Sequence, residues 1–211
     1  MHGFVVPEDS IQYKFTVKVI TIKNENVSFG CGGSLISPNY VLTAAHCINK
    51  KTTQWKRVEV QKFDPLSKEY ITLEVSDVIP HPEYGKPPRL SNSDLAILKL
   101  KVPVSNTNFF ICLPADDRNQ FIGANVTISG WGSTTFENQE SPKELMSAFL
   151  MGISNTECSQ RFERIENNIL QAEKPGAPYE YIPVPPSVLC LVGDLSNSSG
   201  CFGDSGGKFL L

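Results

Sequence analysis

The sequence predicts an all-β fold of two barrels or sandwiches, on two observations. Short segments rich in β-branched and aromatic residues recur between turn formers, and long helical patterns of the kind a parallel α/β sheet needs are scarce. The size agrees, because 211 residues with 40% hydrophobic and 19% charged side chains fill one full domain or two small ones. Nineteen Lys+Arg against 22 Asp+Glu give a formal charge of -3 with no long run of one sign. That balance offers no electrostatic case for a nucleic-acid partner or an anionic membrane. No apolar stretch reaches the roughly 18 residues of a membrane helix, and the 15 Gly and 15 Pro are scattered rather than periodic.

In chain order, strands are expected at Phe15 to Ile22, Tyr40 to Thr43, Arg57 to Phe63, Tyr70 to Ile79, Asp94 to Leu100, Asn125 to Ser129 and Leu145 to Met151. A helix of two or three turns is expected from about Asn155, with Cys158, Phe162 and Ile165 forming one buried face. Glu166 to Pro186 is polar, then proline-rich, and reads as a long surface loop. A second loop runs from His81 to Asn92. With no repeat or linker visible, strand count places the boundary between Asn106 and Asp117, giving halves 1–110 and 111–211.

Six cysteines stand without a C-x-x-C pair, and no H-E-x-x-H occurs, so disulfides fit better than a metal site. Asn26, Asn125 and Asn197 each open an acceptor sequon, used only if the chain is secreted and otherwise ordinary surface asparagines. The opening Met1-His2-Gly3-Phe4-Val5-Val6-Pro7 lacks the basic flank and apolar run of a signal peptide, so a longer precursor is expected.

Gly203-Asp204-Ser205-Gly206-Gly207 carries the chemistry. Glycines on both sides of a serine permit a tight turn that exposes the hydroxyl and frees amide N–H groups. Such a serine needs a base within reach and a group to orient that base. Of three histidines, His2 lies in the terminal segment and His81 in a proline-flanked loop, which leaves His46, at the end of an apolar strand. The orienter should be a buried, hydrogen-bonded carboxylate, and Asp94 opens the most apolar strand, where an unpartnered acid is costly. Taken singly, each has an ordinary alternative: turn glycines around Ser205, a core histidine, a strand-start cap.

Five motifs in order carry a resemblance: Cys31-Gly32-Gly33-Ser34-Leu35-Ile36, Thr43-Ala44-Ala45-His46-Cys47, Asp94-Leu95-Ala96-Ile97-Leu98, Gly130-Trp131-Gly132 and the Gly203–Gly207 pentapeptide. With them the chain resembles the trypsin/chymotrypsin-like serine peptidases over nearly its whole length. The resemblance implies two antiparallel six-stranded-type β-barrels, the second incomplete. It implies Ser205 as nucleophile, His46 as general base and then acid, and Asp94 as the residue that fixes the imidazole tautomer. The Gly203 and Ser205 amides would form the oxyanion hole, and Asp204 would meet an α-amino group freed by zymogen cleavage. It further implies disulfides Cys31–Cys47 and Cys158–Cys190, with Cys112 and Cys201 unpaired in this chain. Secretion, protein or peptide substrates and protein protease inhibitors go with it; a cofactor or metal does not.

The chain departs from that pattern at both ends. Val5-Val6-Pro7-Glu8 is the nearest match to the family's mature N-terminus, and only six residues follow Ser205. A piece of a longer protein is therefore expected, turning over little substrate by itself. Ser199, followed by Gly200, stands where the family places the floor of the specificity pocket. That resembles chymotrypsin- or elastase-type pockets rather than the aspartate that attracts Lys or Arg. Two other classes compete: a non-catalytic, protease-like binding protein or inactive fragment, and a cytosolic structural protein with free thiols.

Overall fold

A computed structural model describes residues 3–23, 26–49, 55–85, 93–105, 109–114, 121–135, 140–179, 183–185, 187–193 and 199–210, with the backbone alone at 26–29. Six strands close into an antiparallel barrel: β2 (Thr16–Lys23), β3 (Asn26–Ser37), β4 (Tyr40–Thr43), β5 (Arg57–Asp64), β6 (Glu69–Pro80) and β7 (Ala96–Leu100), in the order β2-β3-β4-β7-β6-β5. Alternation drives it. Along β7, Ala96, Leu98 and Leu100 point inward and are at most 2% exposed, while Lys99 faces water. They meet Val17, Val19, Leu35, Val41 and Val60 in one apolar core.

The second sheet is open. It orders β1 (Phe4–Val5), β9 (Met146–Ile153), β8 (Asn125–Gly130) and β11 (Lys208–Leu210), with β10 (Cys190–Gly193) also paired to β9. The expected all-β architecture is present: one six-stranded barrel is closed, and a second sheet stands where the incomplete second barrel is expected. An aromatic seam joins the two. Phe63 and Tyr70 of the barrel pack with Tyr13, Trp131 and Leu145, and the Tyr13 hydroxyl accepts from the Leu145 N–H at 2.9 Å.

Several expectations need correcting. Phe15 lies in a five-residue helix, α1 (Ile11–Phe15), so the first barrel strand starts at Thr16. Expected strands also omit β1, β3, β10 and β11. The predicted short helix is instead α2 (Asn155–Glu173), 19 residues long, so Glu166 to Glu173 is helix rather than loop. Ser154 caps it by accepting from the Glu157 N–H at 3.1 Å, and Pro175 with Gly176, at φ +80°, ends it. Of its expected buried face only Cys158 is covered, because α2 lies against the sheet by its first turn; Phe162 and Ile165 are each about half exposed.

Candidate active site

Register brings the first two candidate residues together. Strands β4 and β7 pair antiparallel with Thr43 opposite Ala96. His46 lies three residues past Thr43, in a 3₁₀ turn (Ala45–Ile48), and Asp94 lies two residues before Ala96, at the same rim. His46 Nδ1 is 2.6 Å from Asp94 Oδ2, and the His46 backbone N–H donates to Asp94 Oδ1 at 2.8 Å. Both carboxylate oxygens are thus used, and the ring is fixed in direction. The expectation of a buried acid fails: the Asp94 side chain is 44% exposed and that of His46 43%. Asp94 stands ahead of the strand rather than in it, so it never enters the apolar interior.

Ser205 approaches from the second sheet. Its carbonyl accepts from the Gly32 N–H at 2.8 Å, and Gly32 in turn accepts from the Thr43 hydroxyl at 2.8 Å. Gly206, at φ +76°, lies against Thr43, Gly32 and Ala44, where any Cβ would collide. The Cys31–Cys47 disulfide fills the same corner, with Cys47 Sγ 3.6 Å from His46 Nε2 and 3.7 Å from the Ser205 carbonyl oxygen. Among the described residues the Ser205 hydroxyl makes no hydrogen bond to His46. The serine backbone is docked beside the imidazole, while the third contact of the cluster is open. Cys31, His46 and Cys47 bring their ligand atoms within 4.8 Å of one another, but the sulfurs are bonded together and offer no thiolate to a metal.

The other candidate residues fall around this corner. Gly203 adopts φ +99°, and among the described residues neither its N–H nor that of Ser205 is taken up. Asp204 turns inward, accepting from Gly132 N–H at 2.8 Å and Cys201 N–H at 2.9 Å. Burial pushes its carboxyl up from the usual range, against those two amides, which hold it down. Gly132 is required there, since a Cβ would strike the carboxylate. Asp204 therefore bonds nearby turn amides, while Val5, the nearest match to the expected mature N-terminus, lies within β1 and pairs with Met146. Ser199 and Asp204 line one small cavity with Gly3 and Gly130, and Gly200 is exposed beside it.

Cys158 is bonded to Cys190, tying the first turn of α2 to β10; Cys112 and Cys201 are free. Asn125 is exposed at the start of β8, the side chain of Asn26 is not described, and Asn197 lies outside the described residues. His81 accepts from the Glu83 N–H on its ring and donates its backbone N–H to the Leu95 carbonyl at 2.8 Å, beside Asp94, and no contact links its ring to Asp94 or His46 among the described residues. Sequence reasoning passed over Lys208, the buried lysine that follows the turn, because a lone lysine before Phe209 gives no signal of burial.

Fold and site residues together define the class: a chymotrypsin-like β-protein. The family model described as Trypsin matches residues 6–210, and the chain belongs to this family of serine proteases. It is 29% identical to melanization protease 1 of Drosophila melanogaster over 203 residues, covering 86% of this chain and 46% of that protein. It is 32% identical to granzyme M of Homo sapiens, over 88% of this chain and 65% of that one. The chain spans about half the length of the first curated relatives it matches. Among solved structures it resembles scabies mite inactivated protease paralogue S-D1, with TM-score 0.75 at 21% identity over 99% of this chain and 80% of the other. Mouse neuropsin, a serine protease expressed in the limbic system, gives TM-score 0.67 at 22% identity, over 99% and 81%.

Proposed function

We propose that the protein is a secreted serine endopeptidase that cleaves peptide bonds through an acyl-enzyme. The observation that carries this reading is the His46–Asp94 pair, 2.6 Å apart, at the rim on which the Ser205 turn is docked. In this reading His46 takes the Ser205 hydroxyl proton as the hydroxyl oxygen attacks the substrate carbonyl, and returns it to the leaving amine. Asp94 holds the Nδ1 proton and so turns Nε2 toward the serine. The Gly203 and Ser205 amides, unpartnered among the described residues, receive the oxyanion, an interaction worth about 2.7–4 kcal/mol per donor in sites of this kind. Two disulfides and secreted-type chemistry support an oxidising compartment.

Ser199 and Gly200 carry no charge, which supports apolar side chains before the scissile bond, as in chymotrypsin- or elastase-type pockets, over Lys or Arg. A second reading, a protease-like binding protein, is favoured by the open Ser205–His46 contact and the exposure of both His46 and Asp94. A fluorophosphonate probe separates the two. Slow labelling that disappears in Ser205→Ala and His46→Ala supports the peptidase; a folded chain that never labels supports the binding protein. Peptide substrates with Phe, Ala or Arg before the cleaved bond then test specificity, and preference for Arg would overturn the pocket assignment.

A further inference from the structure

Lys208 follows the Ser205 turn by three positions and opens β11, where it pairs with Ser129 of β8. Its residue exposure is 6%, although lysine is almost never fully buried without a partner. Among the described residues no carboxylate pairs with it. Instead Nζ donates to the Thr16 hydroxyl, where α1 meets β2 in the other half of the molecule, and lies 4.7 Å from the Phe15 ring centroid. Thr16 extends the chain by donating to the Gln12 carbonyl. One side chain thus spans from the strand behind the nucleophile turn to the closed barrel. Strand β11 has three residues and among the described residues pairs with β8 alone, so this ladder holds the turn weakly by itself.

We propose that Lys208 is a positioning residue for the Ser205 turn, holding β11 against the first barrel through its reach to Thr16. The catalytic part of this inference rests on the peptidase reading; the structural part does not. Burial pushes the amine down to about 7. The groups around it are few. From α1, the Tyr13 hydroxyl accepts from the Leu145 N–H and Lys14 is drawn off over the Phe109 ring at 3.8 Å, and from β2, Lys18 lies over Tyr70 and Trp131. Lys23 is at the far end of β2. Strand β8 and the described side chains of β3 bring no titratable group, since Cys31 is in a disulfide. Asp94 and the free thiol of Cys112 line the same 340 Å³ cavity as Lys208. Taking up a proton in this setting disfavours burial, so the tether should hold best above neutrality.

The test follows the Gly203, Asp204 and Ser205 amide resonances by NMR from pH 6 to 9 in the unmodified chain, Lys208→Met and Thr16→Val. The unmodified chain should show a transition with midpoint near 7, Lys208→Met should lack it, and Thr16→Val, which removes the acceptor from a distant strand, should move it to lower pH. In parallel, fluorophosphonate labelling of Ser205 should slow by about tenfold or more in both variants, the scale of a displaced reacting group. Unchanged amide profiles in Lys208→Met, or labelling as fast as in the unmodified chain, overturn the proposal. Should Lys208→Met fail to fold, Thr16→Val decides alone. If the unmodified chain never labels while its turn amides respond as expected, the peptidase reading falls and the tether stands.

Discussion

Asp94 uses both of its oxygens on one residue, and this double contact sets what its replacement does. Asn keeps the shape but exchanges one acceptor for a donor, which must then face either the His46 backbone N–H or Nδ1. Either arrangement loses the ring direction or inverts the tautomer. On the peptidase reading, Asp94→Asn should lower kcat by between about 10²- and 10⁴-fold with little change in KM, since the interaction matters where charge develops on the imidazole. The lower end is favoured here, because a carboxylate 44% exposed is already screened by water. Turnover assays on an apolar peptide substrate measure it; an unchanged kcat would remove Asp94 from the cluster. Both residues were legible in the sequence because motif and pairing agree: a polar residue beside an apolar strand needs a partner, and the paired strands end at one rim. The exposure of Asp94 was not legible, since it depends on where β7 begins, two residues later than the sequence suggests.

At the scale of elements, strands were readable where alternation is strong and less so where glycine interrupts it. Strand β3 contains Gly30, Gly32 and Gly33, whose missing side chains break the pattern that identifies a strand, yet Gly33 leaves room for the methyls of Val17, Val19 and Val41. Helix α2 fails in the opposite sense. Its apolar residues Phe162, Ile165 and Ile169 have helical spacing, but they are about half exposed, so the stretch is helical without a buried face to support it. Its first turn is held firmly: Cys158 is bonded to Cys190, and the Asn155 amide donates to the carbonyls of Pro185 and Val188 at 2.7 and 2.9 Å. Hydrogen exchange should therefore be graded along one helix, with protected amides near Cys158 and Ser159 and rapid exchange beyond Glu163. Replacing Cys158 and Cys190 by alanine should erase that gradient and lower stability by about 2–4 kcal/mol, read from urea unfolding. Uniform protection along α2 would mean its apolar stripe is covered in solution.

At the scale of the whole molecule, the seam between barrel and open sheet collects ionisable groups that a core normally excludes, and they decide how stability follows pH. Burial pushes the amines of Lys18, Lys62 and Lys208 down, Lys208 to about 7. The unfolded chain holds those protons up to about 10.5, so it binds more protons than the folded one across that window, and stability must rise as pH increases through it. Burial pushes the Tyr13 and Tyr70 hydroxyls up, Tyr70 to about 12, so above about pH 10 the folded chain binds the extra proton and stability must fall. On the acid side the raised carboxyl of Asp204 favours the folded state below its unfolded value, and this contribution is lost as pH rises through its folded value. Together these effects place the maximum of Tm on the alkaline side of neutrality, with a decline past about pH 10 as tyrosines ionise in the unfolded chain. Calorimetry from pH 6 to 11 checks it. Lys208→Met should flatten the rise between pH 7 and 10, because it removes the largest of the lysine contributions, while a maximum at pH 6 in the unmodified chain would mean that water reaches these amines across the seam.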